Sequence, residues 1–461
     1  MVETYLREIM NAWGRDQRTA ETLLPAAVTE PETFNASEIK RVLHLLESRD
    51  ETVRLSASWT LGLVVSENPD SVSGSVRALA SLLESEPTRK HDDILRALGY
   101  VAAEFPDLVR DAIEELDLGD DASYKQLIGV VRDRELSGSV TTHTGEASEY
   151  SGLGTVDDDD PEPAEERPER EQRSRPPEEP PPTPPAVDAR RDDFEPVKSR
   201  GSGSHVDLWL VRYTTQTGTH SALLKRIQHR APASFDAEFT ETLDEWQSVD
   251  DHDAIVPVVA HGTIPKPWFV VEYQEGGRLS SRLGSISDRE TRWIIERVVD
   301  AVCHAHGSGV THGGLTPRNV IFSRSYDDTL WSYPKVSNWG ISRLLCQLSA
   351  LPMGVPPRYA APEQVAPEEF GGVDASTDIY HLGLIVYELL AGRLPFEDQP
   401  GVILRKVVTE QPPPISQFTD DLPESVDTVL AKCFRKSKLY RYNTVQDFRT
   451  ELTQALGGGS L

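Results

Sequence analysis

From Ser137 to Ser199 the chain has almost nothing to bury, and this break forces the 461-residue polypeptide to fold as separate halves. The acidic run Asp157–Asp160 is followed by P-E-P-A-E-E-R-P-E-R and then by P-P-E-E-P-P-P-T-P-P. Without apolar side chains such a segment cannot offset the entropy of ordering itself. The prolines from Pro180 to Pro185 favour extended polyproline stretches. Residues 137–199 are therefore expected to be a disordered acidic, proline-rich linker acting as a spacer. A ligand for a proline-binding groove is the alternative.

The half before the break carries an internal repeat. Leu45-Leu46-Glu47-Ser48 recurs as Leu82-Leu83-Glu84-Ser85, Leu61-Gly62 as Leu98-Gly99, and Pro69-Asp70 as Pro106-Asp107, each at an offset of 37. Apolar residues between these markers keep helical spacing: Ala57, Leu61, Val64 and Val65, then Ile94, Ala97, Leu98 and Val101. With Val53-Arg54 opening one helix, the pattern resembles a HEAT repeat of slightly short period. Neighbouring pairs of that kind stack because none can bury its apolar face alone. Residues 1–136 are expected to form an all-α HEAT-like solenoid. Val109-Arg110 and the segment near Ser123–Asp133 would supply a third unit, with residues 1–36 as a cap. The resemblance implies a docking surface for a protein partner; the alternative is a plain helical bundle.

The half after the break contains a series of short motifs in fixed order. Gly201-Ser202-Gly203 opens a glycine-rich loop, with Val206 at its third glycine position, and precedes the strand-like Leu208–Val211. Ala222-Leu223-Leu224-Lys225, His252–Val256, Trp268–Tyr273 and Gly276-Gly277 follow. Downstream come Val310-Thr-His-Gly-Gly-Leu-Thr-Pro-Arg-Asn319, Tyr359-Ala-Ala-Pro-Glu363, Asp378–Gly383 and Arg441-Tyr442. Together these resemble a protein kinase domain over residues 200–456, leaving 457–461 as a tail. The resemblance implies a multidomain chain whose second part has the α+β bilobal kinase-like fold, and a buried Glu363–Arg441 ion pair. It also implies nucleotide binding by Gly201, Gly203, Lys225, Glu241, Glu272 and Tyr273. Glu241 is chosen from three helix carboxylates, with Glu238 and Glu245, although the family's spacing falls near Thr242.

Where the family performs chemistry, this chain departs from it. The proton-accepting Asp of the catalytic loop is replaced by Gly314, the neighbouring Lys by Thr316 and the preceding Arg by Gly313. Asn338 stands where the family holds its metal-binding Asp, and Val355 where a bridging Thr belongs. Magnesium, a hard cation, prefers charged oxygen donors, and Asn319 and Asn338 offer only neutral amides. ATP is the implied ligand, with magnesium held weakly or not at all. A positioned base contributes roughly 10²–10⁴-fold to rate, and charge clamping can add as much, so losing both leaves turnover too slow for signalling. Asp327 and Asp328 are expected at a hairpin tip, remote from the lost base.

Charge bounds the partners. The 75 acidic residues outnumber the 47 basic ones for a net charge of −28, and only 11 of the basic residues are lysine. This balance resembles proteins of salt-loving archaea, an ordinary acidic protein with a charged linker being the alternative, and disfavours nucleic acid and anionic membrane as partners. Cys303, Cys346 and Cys433 show no metal-site spacing. No run of about 18 apolar residues suggests a membrane span, so the expected location is cytoplasmic. The reading is a catalytically impaired kinase-like domain, a pseudokinase, acting as a nucleotide-responsive scaffold. Two alternatives stand: an active Ser/Thr kinase of unusual chemistry, and a scaffold without a nucleotide site.

Overall fold

The computed structural model describes residues 2–85, 91–114, 116, 175–184, 186–202, 206–216, 218–228, 234–325, 327, 329–348, 353–419 and 422–457. Its first part is helical: α1 (Val2–Thr29), α2 (Ala36–Leu45), α3 (Glu51–Glu67), α4 (Val72–Ser85), α5 (His91–Glu104) and α6 (Pro106–Glu114). Capping residues begin the helices where the sequence turns polar. The Asn35 side chain accepts from the amides of Ser37 and Glu38 ahead of α2, and Asp50 from those of Thr52 and Val53 ahead of α3. Helices α1, α3 and α5 lie side by side in one row, and α2, α4 and α6 meet in a second. The two repeat-equivalent helices, α3 and α5, touch where Gly62 leaves room for Tyr100; a Cβ there would stand 3.1 Å from that residue's Cβ.

Helix α3 is buried nearly all round, so even Ser58 and Thr60 turn their hydroxyls back to carbonyls of their own helix. Arg54 of α3 is buried against Asp93 of α5 at 2.5 Å and also donates to the Ser48 carbonyl. This charged tie links the first repeat unit to the second. The expected third unit near Ser123–Asp133 lies outside the described residues.

The second part begins with an antiparallel five-stranded sheet in the order β1-β2-β3-β5-β4. Its strands are β1 (Glu195–Ser202), β2 (Val206–Thr215), β3 (Gly218–Ile227), β4 (Val258–Gly262) and β5 (Trp268–Glu272). Alternation along β3 sets the faces. Ala222 and Leu224 join the outer apolar layer, while Leu223 and Ile227 face the main core; Lys225 shares their side. Helix α7 (Phe235–Gln247) packs on that inner face through Phe239, whose ring lies 6.1 Å from Phe269.

A mostly helical lobe follows, with α8 (Asp288–Gly307), the hairpin β6 (Val320–Phe322) and β7 (Pro334–Val336), α9 (Ile341–Cys346), α10 (Ala375–Ala391), α11 (Pro400–Thr409), α12 (Glu424–Cys433) and α13 (Val445–Ala455). The bilobal α+β architecture is as expected. The Glu363–Arg441 pair is present, with two contacts of 2.7 Å between side chains of zero exposure and Thr377 donating to the same carboxylate.

Two expectations are corrected. The linker is ordered over its described portion from Arg175: Val187 and Ala189 pack on the outer sheet layer, and Phe194 is buried against Tyr213 and Trp268. A segment too polar to build a core borrows one from the sheet. Residues 137–174 lie outside the described residues. Nor are the halves merely tethered. Helices α1 and α3 pack on α11, where a Cβ on Gly401 would meet Leu63 Cγ at 2.9 Å and the Trp59 carbonyl at 3.0 Å. Arg405 and Glu67 form an ion pair beside that contact. No described helix is long and apolar enough to cross a membrane.

Candidate functional site

Between the lobes, the loop from His312 to Asn319 is held by a buried polar network. Asp378, at the start of α10, accepts from the amides of His312 and Gly313 at 2.8 Å each and pairs with His306. Burial works to raise its pKa, but the His306 hydrogen bond and the surrounding imidazoles hold it below the ordinary value. Both amides converge on one carboxylate because Gly313 adopts φ +69°, a left-handed conformation open to glycine. Burial pushes His381 down to about 4, so it is neutral at physiological pH. One of its nitrogens faces the Leu315 amide and the other Gln364, which donates in turn to the carbonyls of Gly313 and Met353. The loop is therefore rigidly shaped.

The position of the missing base is filled by protein. A Cβ on Gly314 would stand 2.5 Å from both Cβ and Oγ of Ser342, and 3.2 Å from Val355 Cγ1. Ser342 belongs to α9, which starts directly after Asn338-Trp339-Gly340. Two further glycines admit the same packing: a Cβ on Gly354 would meet Cys346 Sγ at 2.6 Å, and one on Gly340 would meet Thr242 Cγ2 at 2.7 Å. Gln347, just after α9, donates to Glu238 of α7. Gly314 and Val355 thus share a wall of the site with α9 between the lobes.

Thr316 has a different neighbour. Its amide and hydroxyl both donate to Asn319 Oδ1, at 3.0 and 2.8 Å, and both side chains are buried. Those two bonds use both lone pairs of that oxygen. Asn338, at φ +69°, accepts from the Lys225 ammonium through its own Oδ1. Each amide oxygen available to a metal is already taken by a donor, and neither carries charge. Among the described residues no cluster of three His, Cys, Asp or Glu side chains could hold a metal.

Lys225 is buried on the cleft face of β3 with a neutral amide as its partner and the Phe269 ring 5.3 Å away. Burial, with the positive charge of Arg278 adding to it, pulls its pKa down to about 7. The expected partner Glu241 is not there. Glu241 is exposed, whereas Thr242 is buried and faces the site. The buried positions Phe235, Phe239, Thr242, Leu243 and Trp246 define the inner stripe of α7, and position 241 falls off it.

Further out, Glu272 pairs at 2.9 Å with the fully buried Lys335 of β7, tying the end of β5 to the other lobe. Arg200 of β1 donates to the Tyr273 hydroxyl at 2.7 Å, with its guanidinium 5.5 Å from the ring centroid, spanning the mouth of the cleft. Gly201 (φ +125°) is the penultimate residue of β1; Gly203 lies outside the described residues. Asp327 caps the amide and hydroxyl of Thr329 in an exposed turn, and Asp328 lies outside the described residues. Ser342, Arg200 and Lys335 escaped sequence reasoning, and Thr242 was reached by the family's spacing but passed over for Glu241. Only Thr242 carried a usable signal, its phase on α7.

Comparison with known proteins gives the site its context. Residues 199–452 match the sequence profile of the protein kinase domain family. The serine/threonine-protein kinase Pkn1 of Myxococcus xanthus is 32% identical over 213 residues, covering 44% of this chain and 30% of that protein. PrkC of Bacillus subtilis, also a serine/threonine-protein kinase, is 28% identical over 220 residues, covering 46% and 32%. The chain thus spans about a third of the length of these curated relatives. The crystal structure of the Mycobacterium tuberculosis PknI kinase domain aligns at 21% identity and a TM-score of 0.45, over 57% of this chain and 96% of that one.

Proposed function

The chain belongs to the protein kinase family through residues 199–452, and we propose that it is a catalytically impaired member that works by binding. The observation that carries this reading is the packing at Gly314. The space a catalytic carboxylate would need is occupied by Ser342 and walled by Val355. The base is not simply missing; its volume has been reassigned to α9. The second support is the saturation of Asn319 by Thr316, which removes an oxygen that magnesium would require. Residues so arranged do not fit the metal, so no phosphoryl-transfer step is derived through it.

ATP is the ligand that the family suggests. Lys225 uses one of its three ammonium donors on Asn338, so phosphates in the cleft would share that ammonium with Asn338, and occupancy of the cleft is coupled to the position of Asn338 and α9. That coupling is the basis for a nucleotide-responsive scaffold, with the HEAT-like helical rows supplying the surface for a protein partner. A second reading, a scaffold with no nucleotide site, is favoured by the exposed Glu241 and by Arg200 held across the cleft mouth on Tyr273. The similarity to serine/threonine-protein kinases favours the third, a working Ser/Thr kinase.

Two measurements separate them. Transfer of labelled phosphate to the chain itself or to a generic acceptor should be absent, and Gly314→Asp should not restore it. Robust transfer by the wild type that is lost in Lys225→Ala overturns the proposal. Thermal unfolding with ATP, with and without magnesium, divides binder from inert scaffold. Ligand at a hundredfold excess over its dissociation constant should stabilise by about 2.7 kcal/mol.

A further inference from the structure

The lobes of the kinase domain are joined covalently by the segment after β5, where Glu272 ends the sheet and Gly276 donates to Phe322 of β6 at 2.8 Å. The chain entering the domain makes a second connection. At one end, Arg175 forms a parallel bridge with Leu330, and its carbonyl accepts from the Trp331 amide at 2.9 Å. Trp331 is buried with its ring 5.5 Å from that of Trp293 of α8 and tilted against it, so this anchor belongs to the helical lobe. At the other end, the Val187 amide donates to the Val259 carbonyl of β4 at 2.9 Å. Phe194, 1% exposed, sits between Tyr213 at 5.6 Å and Trp268 at 5.9 Å, so this anchor belongs to the sheet lobe.

Six of the nine residues 176–184 between the anchors are proline. Proline fixes φ, and a polyproline stretch is extended and semi-rigid at about 3.1 Å per residue; here the chain bends at Glu178-Glu179 and then runs through Pro180–Pro184 with no further bend. The twelve steps from Arg175 to Val187 therefore reach at most about 37 Å by that rise. Glu178, Glu179, Pro180, Pro182 and Thr183 are exposed, so the span crosses between its anchors without a core of its own.

We propose that Arg175–Phe194 is a cis-bound brace on an aromatic and apolar surface that spans both lobes, and that it fixes the angle between them. A stiff link parallel to the hinge limits opening and closing alike. Relative rotation of the lobes must either break the Val187–Val259 or Arg175–Trp331 bond or bend a proline run. Any pull on the chain preceding Arg175 is transmitted to the outer face of the sheet. This inference uses no nucleotide and stands apart from the catalytic reading.

The test cuts the brace after folding. A protease site is inserted between Glu178 and Glu179 of the full chain, and hydrogen exchange is followed before and after cleavage. A second variant keeps the length but replaces the prolines of 176–184 with Gly and Ser. Exchange of the Tyr273–Gly277 amides should rise about tenfold or more in both, as a local opening becomes easier, while α12 stays unchanged. If exchange rises only in 175–194 and its direct contacts, or not at all, the segment is a passive covering and the proposal fails.

Discussion

Substituting Gly314 by alanine adds one carbon, and the structure says what it meets. The new Cβ would lie 2.5 Å from Ser342 Cβ and Oγ, well inside van der Waals contact, and 3.2 Å from Val355. The φ of Gly314 is not in the left-handed region, so the backbone accepts alanine. Taken alone, Gly→Ala at such a site stabilises by about 0.4–1 kcal/mol through the unfolded chain. Overpacking of a rigid site costs about 1–3 kcal/mol, so Gly314→Ala should be net destabilising by about 1–2 kcal/mol. Ser342→Gly removes both atoms the methyl strikes, at a helix-propensity cost of about 0.5 kcal/mol. In that background the clash with Ser342 is gone and only the 3.2 Å approach to Val355 opposes the favourable unfolded-chain effect, so Gly314→Ala should become about neutral or slightly stabilising. The coupling across the cycle should then be about 2 kcal/mol, well above the roughly 0.3–0.5 kcal/mol scatter of independent sites. Thermal unfolding of the four proteins reads it. Equal effects of Gly314→Ala in both backgrounds would show that α9 does not fill the base position, and the structural argument for lost catalysis would go with it.

Three other perturbations probe the rest of the structure. Arg441→Ala should cost about 3–5 kcal/mol in denaturant unfolding, because it strands a buried carboxylate; a loss below 1 kcal/mol would mean the pair is solvated. Burial tends to raise the Glu363 pKa, but Arg441 holds it below 4.5, so its stabilisation is present above that pH and fades as acid is added. Lys225 gives the same sign as a penalty relieved rather than a stabilisation gained. Its pKa is about 7 folded against 10.5 ordinarily, so the burial penalty is complete below pH 7 and vanishes above 10.5. Wild-type stability should contain a rise of up to about 1.4 kcal/mol per pH unit across that window. Lys225→Met should lack that rise, and identical pH slopes would refute the shift. Phe194→Ala should destabilise the sheet lobe by about 3–5 kcal/mol, where a residue in a loose spacer would be neutral within about 0.5 kcal/mol.

Much of the kinase fold was legible because its motifs lie at turns and buried junctions with few chemical substitutes. Glu363 and Arg441 are examples, recognised 78 residues apart and found in contact. Glu241 was misread for a physical reason: a search for a carboxylate partner overrode the phase of α7, and the buried stripe through Phe239 and Trp246 already pointed to Thr242. The brace was misread because composition averages hide single anchors. Val187, Ala189 and Phe194 are few, yet each joins the apolar layer on the outer sheet face. Ser342 left no trace in sequence, since a serine after Gly340 says nothing about which glycine 28 positions earlier makes room for it. Absence of a side chain is visible in a sequence; what occupies the vacated volume is not.

The notch at Gly401 bears on how the protein can be dissected. A fragment begun near the family boundary at residue 199 would lose Trp59 and Leu63, and with them the wall that α11 is shaped to meet. The bared seat would be open to any second molecule of the fragment in solution. Dimers or aggregates of such a truncation would report an amputated surface, and only the intact chain can tell whether self-association is native.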